Sequence, residues 1–166
     1  VPAIKKETVE VIAGRFRRLD GGKAHQLTLG MKEEQPAVLG YLLNVGPEAF
    51  SQQEREWIIF LGVSIWQIFL HEYPHLPQIT QAALDKAAKN TAGLIGYLKD
   101  ENKDDMRTTM SSVLQDYHQP AVLDYVVQAL NVGFGEKTIR EINLTVLFFF
   151  LKIIIDCFDE ATDVKQ

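Results

Sequence analysis

The phrase Gln35-Pro36-Ala37-Val38-Leu39 returns 84 residues later as Gln119-Pro120-Ala121-Val122-Leu123, and no other feature constrains the fold as strongly. Each copy runs on to a tyrosine (Tyr41, Tyr125) and then to Asn-Val-Gly (Asn44-Val45-Gly46, Asn131-Val132-Gly133), with three extra residues before the second Asn-Val-Gly. Proline suits the first turn of a helix, where its missing N–H has no partner to lose. It also biases the residue before it away from helical geometry. Each copy therefore reads as a helix start followed by a short apolar helix with an Asn-Gly stop.

Other landmarks recur in the same order. Leu76-Pro77-Gln78-Ile79 echoes Val1-Pro2-Ala3-Ile4, and Ser51-Gln52-Gln53-Glu54 is matched by Thr138-Ile139-Arg140-Glu141. The last two have the spelling of a capping box, in which hydroxyl and carboxylate reciprocally satisfy free N–H groups at a helix start. The offset between landmarks drifts from 75 to 84 to 87, so the halves differ by loop insertions. Two copies are too few for an open solenoid. The expected architecture is all-α: a pseudo-twofold helical bundle from an internal duplication, with about six to eight helices. Residues 1–75 form the first helical repeat and 76–166 the second, joined at Tyr73-Pro74-His75-Leu76-Pro77 and sharing one globular domain.

Each capping box opens an apolar run. Trp57–Leu70 and Leu144–Ile155 are apolar almost all round, the pattern of buried central helices. The first run is about 14 residues and contains Gln67, short of the ~20 that span a bilayer. In the second, Glu141, Thr145, Lys152, Asp156 and Asp159 make a narrow polar stripe interrupted by Phe148, expected to stay wet and to oppose membrane insertion. Amphipathic helices are expected over 3–19, about 78–99 and 106–117, and a weaker one over 24–34. Asp20-Gly21-Gly22 reads as a stop and turn, Asp100 to Asp105 as a polar loop, and the residues after 160 as a frayed tail.

With 46% hydrophobic residues the chain can bury a core, which argues against disorder. A single cysteine, Cys157, forms no internal disulfide, and the opening Val1-Pro2-Ala3-Ile4-Lys5-Lys6 lacks the apolar region of a secretory signal. A soluble, cytoplasmic protein is the expectation. The net charge of −5 argues against nucleic-acid binding. The charge is uneven: residues 1–32 carry Lys5, Lys6, Arg15, Arg17, Arg18, Lys23 and Lys32 against Glu7, Glu10 and Asp20, a local +4, and the remainder is −9. Such a patch is ordinarily a solvated helix face, the alternative being a surface for phosphate or an acidic partner.

Motifs of catalysis are spelled but not supported. His71-Glu72-Tyr73-Pro74-His75 has the H-E-x-x-H pattern of zinc peptidases, in which two histidines share one helix face and the glutamate activates water. Pro74 removes a helical hydrogen bond and pushes Tyr73 out of helical geometry, so the two imidazoles are not expected to share a face. Gly133-Phe134-Gly135-Glu136-Lys137-Thr138 and Gly21-Gly22-Lys23-Ala24 resemble phosphate loops only superficially, and Glu136 would repel an anion. Asp100 to Asp105 lacks the glycine and terminal glutamate of a calcium loop. Cys157 lies beside Asp156 and Asp159, which disfavour a thiolate. Asn143-Leu144-Thr145 is a glycosylation sequon inside an expected core helix.

No catalytic, metal-binding or cofactor-binding residue is therefore assigned, and no cofactor. The favoured expectation is a non-catalytic protein-interaction or oligomerisation scaffold, with a protein partner or self-association and no nucleic acid. A bundle binding a small apolar ligand or lipid is the alternative, its pocket lined by Phe60, Trp66, Phe148, Phe149 and Phe150. A metal-dependent hydrolase using His71 and His75 is the third and least supported.

Overall fold

In a computed structural model, which describes residues 2–45, 50–101, 111, 113 and 115–163 and the side chains of these outside 95–101, seven long helices and no strand occur among the described residues. They are α1 (Lys6–Arg17), α2 (Gly21–Glu34), α3 (Pro36–Asn44), α4 (Gln52–Glu72), α5 (Gln81–Glu101), α6 (Pro120–Gly135) and α7 (Glu141–Asp163). None of the described helices is long and apolar enough to cross a membrane.

The apolar helices α4 and α7 pack against each other at the centre. They run parallel: the Glu54 carboxylate meets the start of α7, and the Phe69 and Phe158 rings stack 5.5 Å apart near the other end. Helices α1, α2 and α3 pack on α4, and α5 and α6 pack on α7. Contacts also cross between the groups, α1 with α6, α3 with α5 and α4 with α6. The buried residues form one cluster reaching from Ile4 to Phe158. At Gly62 in α4 the backbone comes close enough to Leu42 of α3 that a methyl group there would overlap it.

The repeated glutamines do more than precede a proline. Gln35 and Gln119 stand before α3 and α6 in nearly the same conformation (φ −135°, ψ 60° and φ −120°, ψ 64°), the non-helical geometry expected before proline. Both are buried, at 2% and 0% exposure. Gln35 Oε1 accepts the Ile79 backbone N–H at 2.8 Å, and its Nε2 donates to the Pro77 carbonyl at 2.9 Å. Gln119 Oε1 accepts the Ile4 backbone N–H at 2.9 Å. Gln35 thus holds the segment leading into α5, and Gln119 the segment leading into α1.

The first capping box forms in full: Ser51 N–H donates to Glu54 Oε1 at 2.8 Å and Glu54 N–H to Ser51 Oγ at 3.1 Å. The second does not. Thr138 lies before the helix, and its hydroxyl donates to the Gly133 carbonyl while accepting from Trp57 Nε1. Glu54, fully buried, takes over instead. It accepts the Arg140 backbone N–H at 2.9 Å, the Arg140 guanidinium at 2.7 Å and Asn143 Nδ2 at 3.0 Å. One carboxylate therefore serves the positive ends of both central helices.

Other expectations shift. Asp20-Gly21-Gly22 is not a turn: the Asp20 side chain accepts the Lys23 N–H at 2.8 Å and starts α2 through both glycines. Helix α6 runs through Asn131-Val132-Gly133, which does not stop it as Asn44 ends α3. Helix α5 starts at Gln81 and α1 at Lys6, later than their apolar spacing alone indicated. The tail after 160 stays helical to Asp163, since Thr162 is buried and its hydroxyl bonds back to the Asp159 carbonyl. The wet stripe on α7 is partly covered: Lys152 is 8% exposed. Of the loop expected over 100–105, residues 100 and 101 are instead the end of α5, and 102–105, with most of the helix expected over 106–117, lie outside the described residues.

Two outcomes follow from these bonds. Gln35→Ala and Gln119→Ala should each cost about 1–3 kcal/mol, because each leaves a buried N–H without its acceptor; urea unfolding measures this. Burial alone would raise the Glu54 carboxyl, but its bonds from Arg140, Ser51 and Asn143 hold it at about 2, below its ordinary 4.5. A depressed carboxylate stabilises the fold fully above its unfolded value. The stability difference between wild type and Glu54→Gln should therefore be constant above pH 4.5 and shrink as pH falls toward 2.

Candidate functional site

Helix α4 ends at Glu72, and Tyr73 leaves helical geometry at φ −127°, ψ 85°. His71 and His75 consequently sit on opposite sides of a chain break, both exposed, and Glu72 accepts a long hydrogen bond from the Thr8 hydroxyl. Among the described residues no group of three or more His, Cys, Asp or Glu side chains is placed to hold a metal ion.

The glycine-rich stretch at 133–138 turns its backbone inward. The N–H groups of Glu136, Lys137, Thr138 and Ile139 donate to the carbonyls of Val132, Phe134 and Gly133. Lys137 adopts φ 63°, the left-handed turn that closes this connection. A phosphate cradle needs those N–H groups pointing outward. Gly133 itself is a packing glycine, its Cα facing Ile139 and Trp57. At Gly21-Gly22-Lys23 the Lys23 N–H is taken by Asp20. Asn143 of the sequon is 6% exposed and bonded to Glu54.

The two repeated tyrosines have different surroundings. Tyr125 bonds Ser64 of α4, and burial raises its hydroxyl pKa against the lowering effects of Ser64 and Arg17. Tyr41 packs edge-on against Phe150, with ring centres 6.2 Å apart, and among the described residues its hydroxyl has no hydrogen-bond partner.

A polar ladder that spacing only half revealed lies along α7. Lys152 Nζ bonds Asp156 at 2.7 Å and stands 5.4 Å above the Tyr117 ring, whose hydroxyl also donates to Asp156. His118 Nδ1 contacts both carboxylate oxygens of Asp159 at 2.8 Å, and Gln119 Nε2 donates to the same carboxylate. Burial, then Asp156, pushes the Tyr117 hydroxyl pKa up, so it is a poor base or nucleophile. The charges in this ladder are spent on one another, which marks it as structural.

Three surface clefts lie among the described residues. One, of about 230 Å³, lies between the end of α1, α2 and α4, floored by Phe16, Leu19, Leu27, Ile59, Phe60 and Val63. A second, of about 330 Å³, is bounded by Gln53, Trp57 and Thr138 and shares Phe60 and Glu56 with the first. Phe60 is thus a ridge between two apolar hollows, 36% exposed and held edge-on by Phe16 and Trp57 at 5.6 and 6.1 Å. Trp66, Phe148 and Phe149, expected to line a pocket between α4 and α7, are instead core residues at 3%, 0% and 4% exposure.

The cationic segment runs into the first cleft. Arg15, Arg17 and Arg18 are exposed around Phe16 and Leu19, and Lys23 precedes Ala24 on the α2 wall. Among the described residues no carboxylate forms an ion pair with any of these four. Asp20 is occupied as the α2 cap, and Glu56 accepts from Gln52. The hollow itself is lined by apolar side chains with His25, Thr28 and Glu56, and the exposed arginines flank Phe16 and Leu19 in sequence.

The third cleft, about 470 Å³, lies between Pro77, Ile79, Ala83, Lys86, Cys157 and Glu160. Cys157 contributes little to its surface at 3% exposure, and Sγ sits 3.7 Å from the Ala83 carbonyl. Burial first, then Asp156 and Glu160, pushes the thiol up to about 12. Iodoacetamide at pH 8 should label native Cys157 at least tenfold slower than the urea-unfolded chain, as followed by mass spectrometry.

The chain matches no protein-family model, and comparison with curated proteins and with solved structures gives no match either, so a functional reading rests on these surfaces alone.

Proposed function

We propose that this chain is a non-catalytic interaction module that receives an acidic amphipathic helix of a partner protein in the cleft between α1, α2 and α4. The observation that carries this is an apolar hollow, with Phe60 at its edge, whose lining residues Phe16 and Leu19 are flanked in sequence by exposed arginines that no carboxylate of the described chain neutralises. Size favours a helix over a small molecule. Ligand pockets run from roughly 300 to 1,000 Å³ and enclose their guest. A hollow of about 230 Å³ open on one side accommodates one or two side chains from a helix laid across it. The flanking arginines would speed encounter and select acidic over basic partners.

The pseudo-twofold duplication is part of the same reading. Its support is the reciprocal use of Gln35 and Gln119, their matched conformations, and the paired contacts of α1 with α6 and α3 with α5. The halves, 1–75 and 76–166, are then one duplicated unit closed on itself around a single core. The duplicated part supplies the scaffold. The cleft belongs to the first half, where the positive charge is concentrated.

A fluorescent 18-residue helix with leucines at i, i+4 and i+7 among glutamates should bind at least tenfold tighter than its lysine counterpart, as read by anisotropy. Phe60→Ser should abolish that binding while leaving the circular dichroism spectrum unchanged. Equal binding of the two peptides contradicts the proposal, as does no binding of either. Light scattering of the chain alone provides a second check. A dimer dissolved by Phe60→Ser would assign the cleft to a second copy and overturn the partner reading.

A further inference from the structure

We propose that Arg17 and Arg18, at the end of α1, form a binding site for a doubly charged oxyanion, the chemistry of inorganic phosphate or of a phosphate monoester on a partner. The proposal does not depend on what fills the cleft. It begins at Gly14, one turn earlier in the same helix. A Cβ there would stand 3.4 Å from Arg18 Nη2 and 3.6 Å from Arg17 Nη2, with no other group of comparable closeness. Both guanidinium groups therefore fold back over the same turn, where an added methyl group would meet them in ordinary van der Waals contact.

Adjacent residues on a helix point about 100° apart, so two extended arginines would ordinarily diverge into solvent. These two converge, although like charges repel. Arg18 is held in place by its Nε, which donates to the Gly14 carbonyl at 3.1 Å. Its terminal nitrogens have no hydrogen-bond partner among the described residues. Arg17 reaches toward α6, close enough for its charge to act on the Tyr125 hydroxyl.

No carboxylate of the described chain pairs with either arginine. Glu10, on the same helix, is 3.9 Å from Lys6 and so is turned toward the helix start. Two planar forks without an internal anion match the charge and donor count of a dianionic phosphate group better than a single carboxylate.

The test is titration of the intact chain at pH 7.5, watching the arginine Nε–H resonances by NMR, with inorganic phosphate and with acetate at matched ionic strength. Phosphate should shift the Arg17 and Arg18 signals saturably, and acetate should bind at least tenfold more weakly. Arg17→Ala and Arg18→Ala should each weaken phosphate binding about tenfold or more, since each removes a charge-assisted donor pair. Arg15→Ala should not, because Arg15 is outside the convergent pair. Gly14→Leu should raise helix content and still weaken binding about tenfold, which separates loss of the site from loss of fold.

A phosphoserine peptide and its serine counterpart give the second arm. Tighter binding of the phosphopeptide than of inorganic phosphate assigns the site to a modified partner, and equal binding assigns it to free phosphate. Unmoved arginine signals, equal response to acetate, or an Arg15→Ala loss as large as that of Arg18→Ala would overturn the proposal.

Discussion

Two helices packed side by side in the same direction bring two positive ends together, and this fold depends on the carboxylate placed between them. Each helix start carries about half a positive charge and unsatisfied N–H groups. Here α4 and α7 begin beside Glu54, which closes the capping box of α4 and accepts the backbone N–H of Arg140 before α7. The Arg140 guanidinium and the Asn143 amide complete its shell. A buried charge is costly when alone, and this one is balanced by donors on every side, which is why its carboxyl stays ionised to about pH 2. From that junction the two apolar helices run together to Phe69 and Phe158, and the remaining helices wrap them.

The wrapping is tied down by backbone bonds to buried side chains. Gln35 holds the stretch before α5, and Gln119 holds the stretch before α1. A short irregular segment at the core edge exposes backbone groups that must be paired. A side-chain amide, with an acceptor and two donors, can serve such a segment where no helix provides the ladder. The Tyr117–Asp156–Lys152 ladder and the His118–Asp159–Gln119 contacts act similarly on the far side of α7. These polar groups are paired inside the structure and leave little chemistry for a substrate.

Function therefore falls to the outer surface, and the charge there is unevenly spent. Several acidic groups cap helices or meet lysine, as Asp20, Glu54 and Glu160 do. The arginines at the end of α1 have no such partner among the described residues, and they flank Phe16 and Leu19 of the apolar hollow in sequence. The proposed recognition of an acidic helix draws on that pairing of charge and apolar area.

The helix identities, the proline starts of α3 and α6, the Ser51–Glu54 box, the burial of α4 and α7 and the breaking of His71–His75 by Pro74 were all legible in the amino-acid order. Each depends on neighbours within one or two turns, so local chemistry was enough. The paired glutamines were legible as a repeat but not as a clamp, because their partners Ile79 and Ile4 lie 44 and 115 residues away in sequence. Thr138 was misread as a cap because its hydroxyl answers to Trp57, 81 residues distant. Asp20 was misread as a stop because two glycines outweighed an N-cap in the local pattern. The basic segment was visible as a count of charges, yet its convergence over Gly14 came only with packing. Sequence determined which segments become helices and which faces are apolar, since those follow from bonds a few residues long. The tertiary structure decided which buried polar groups meet and which charges are left over, since that depends on distances between segments far apart in the chain.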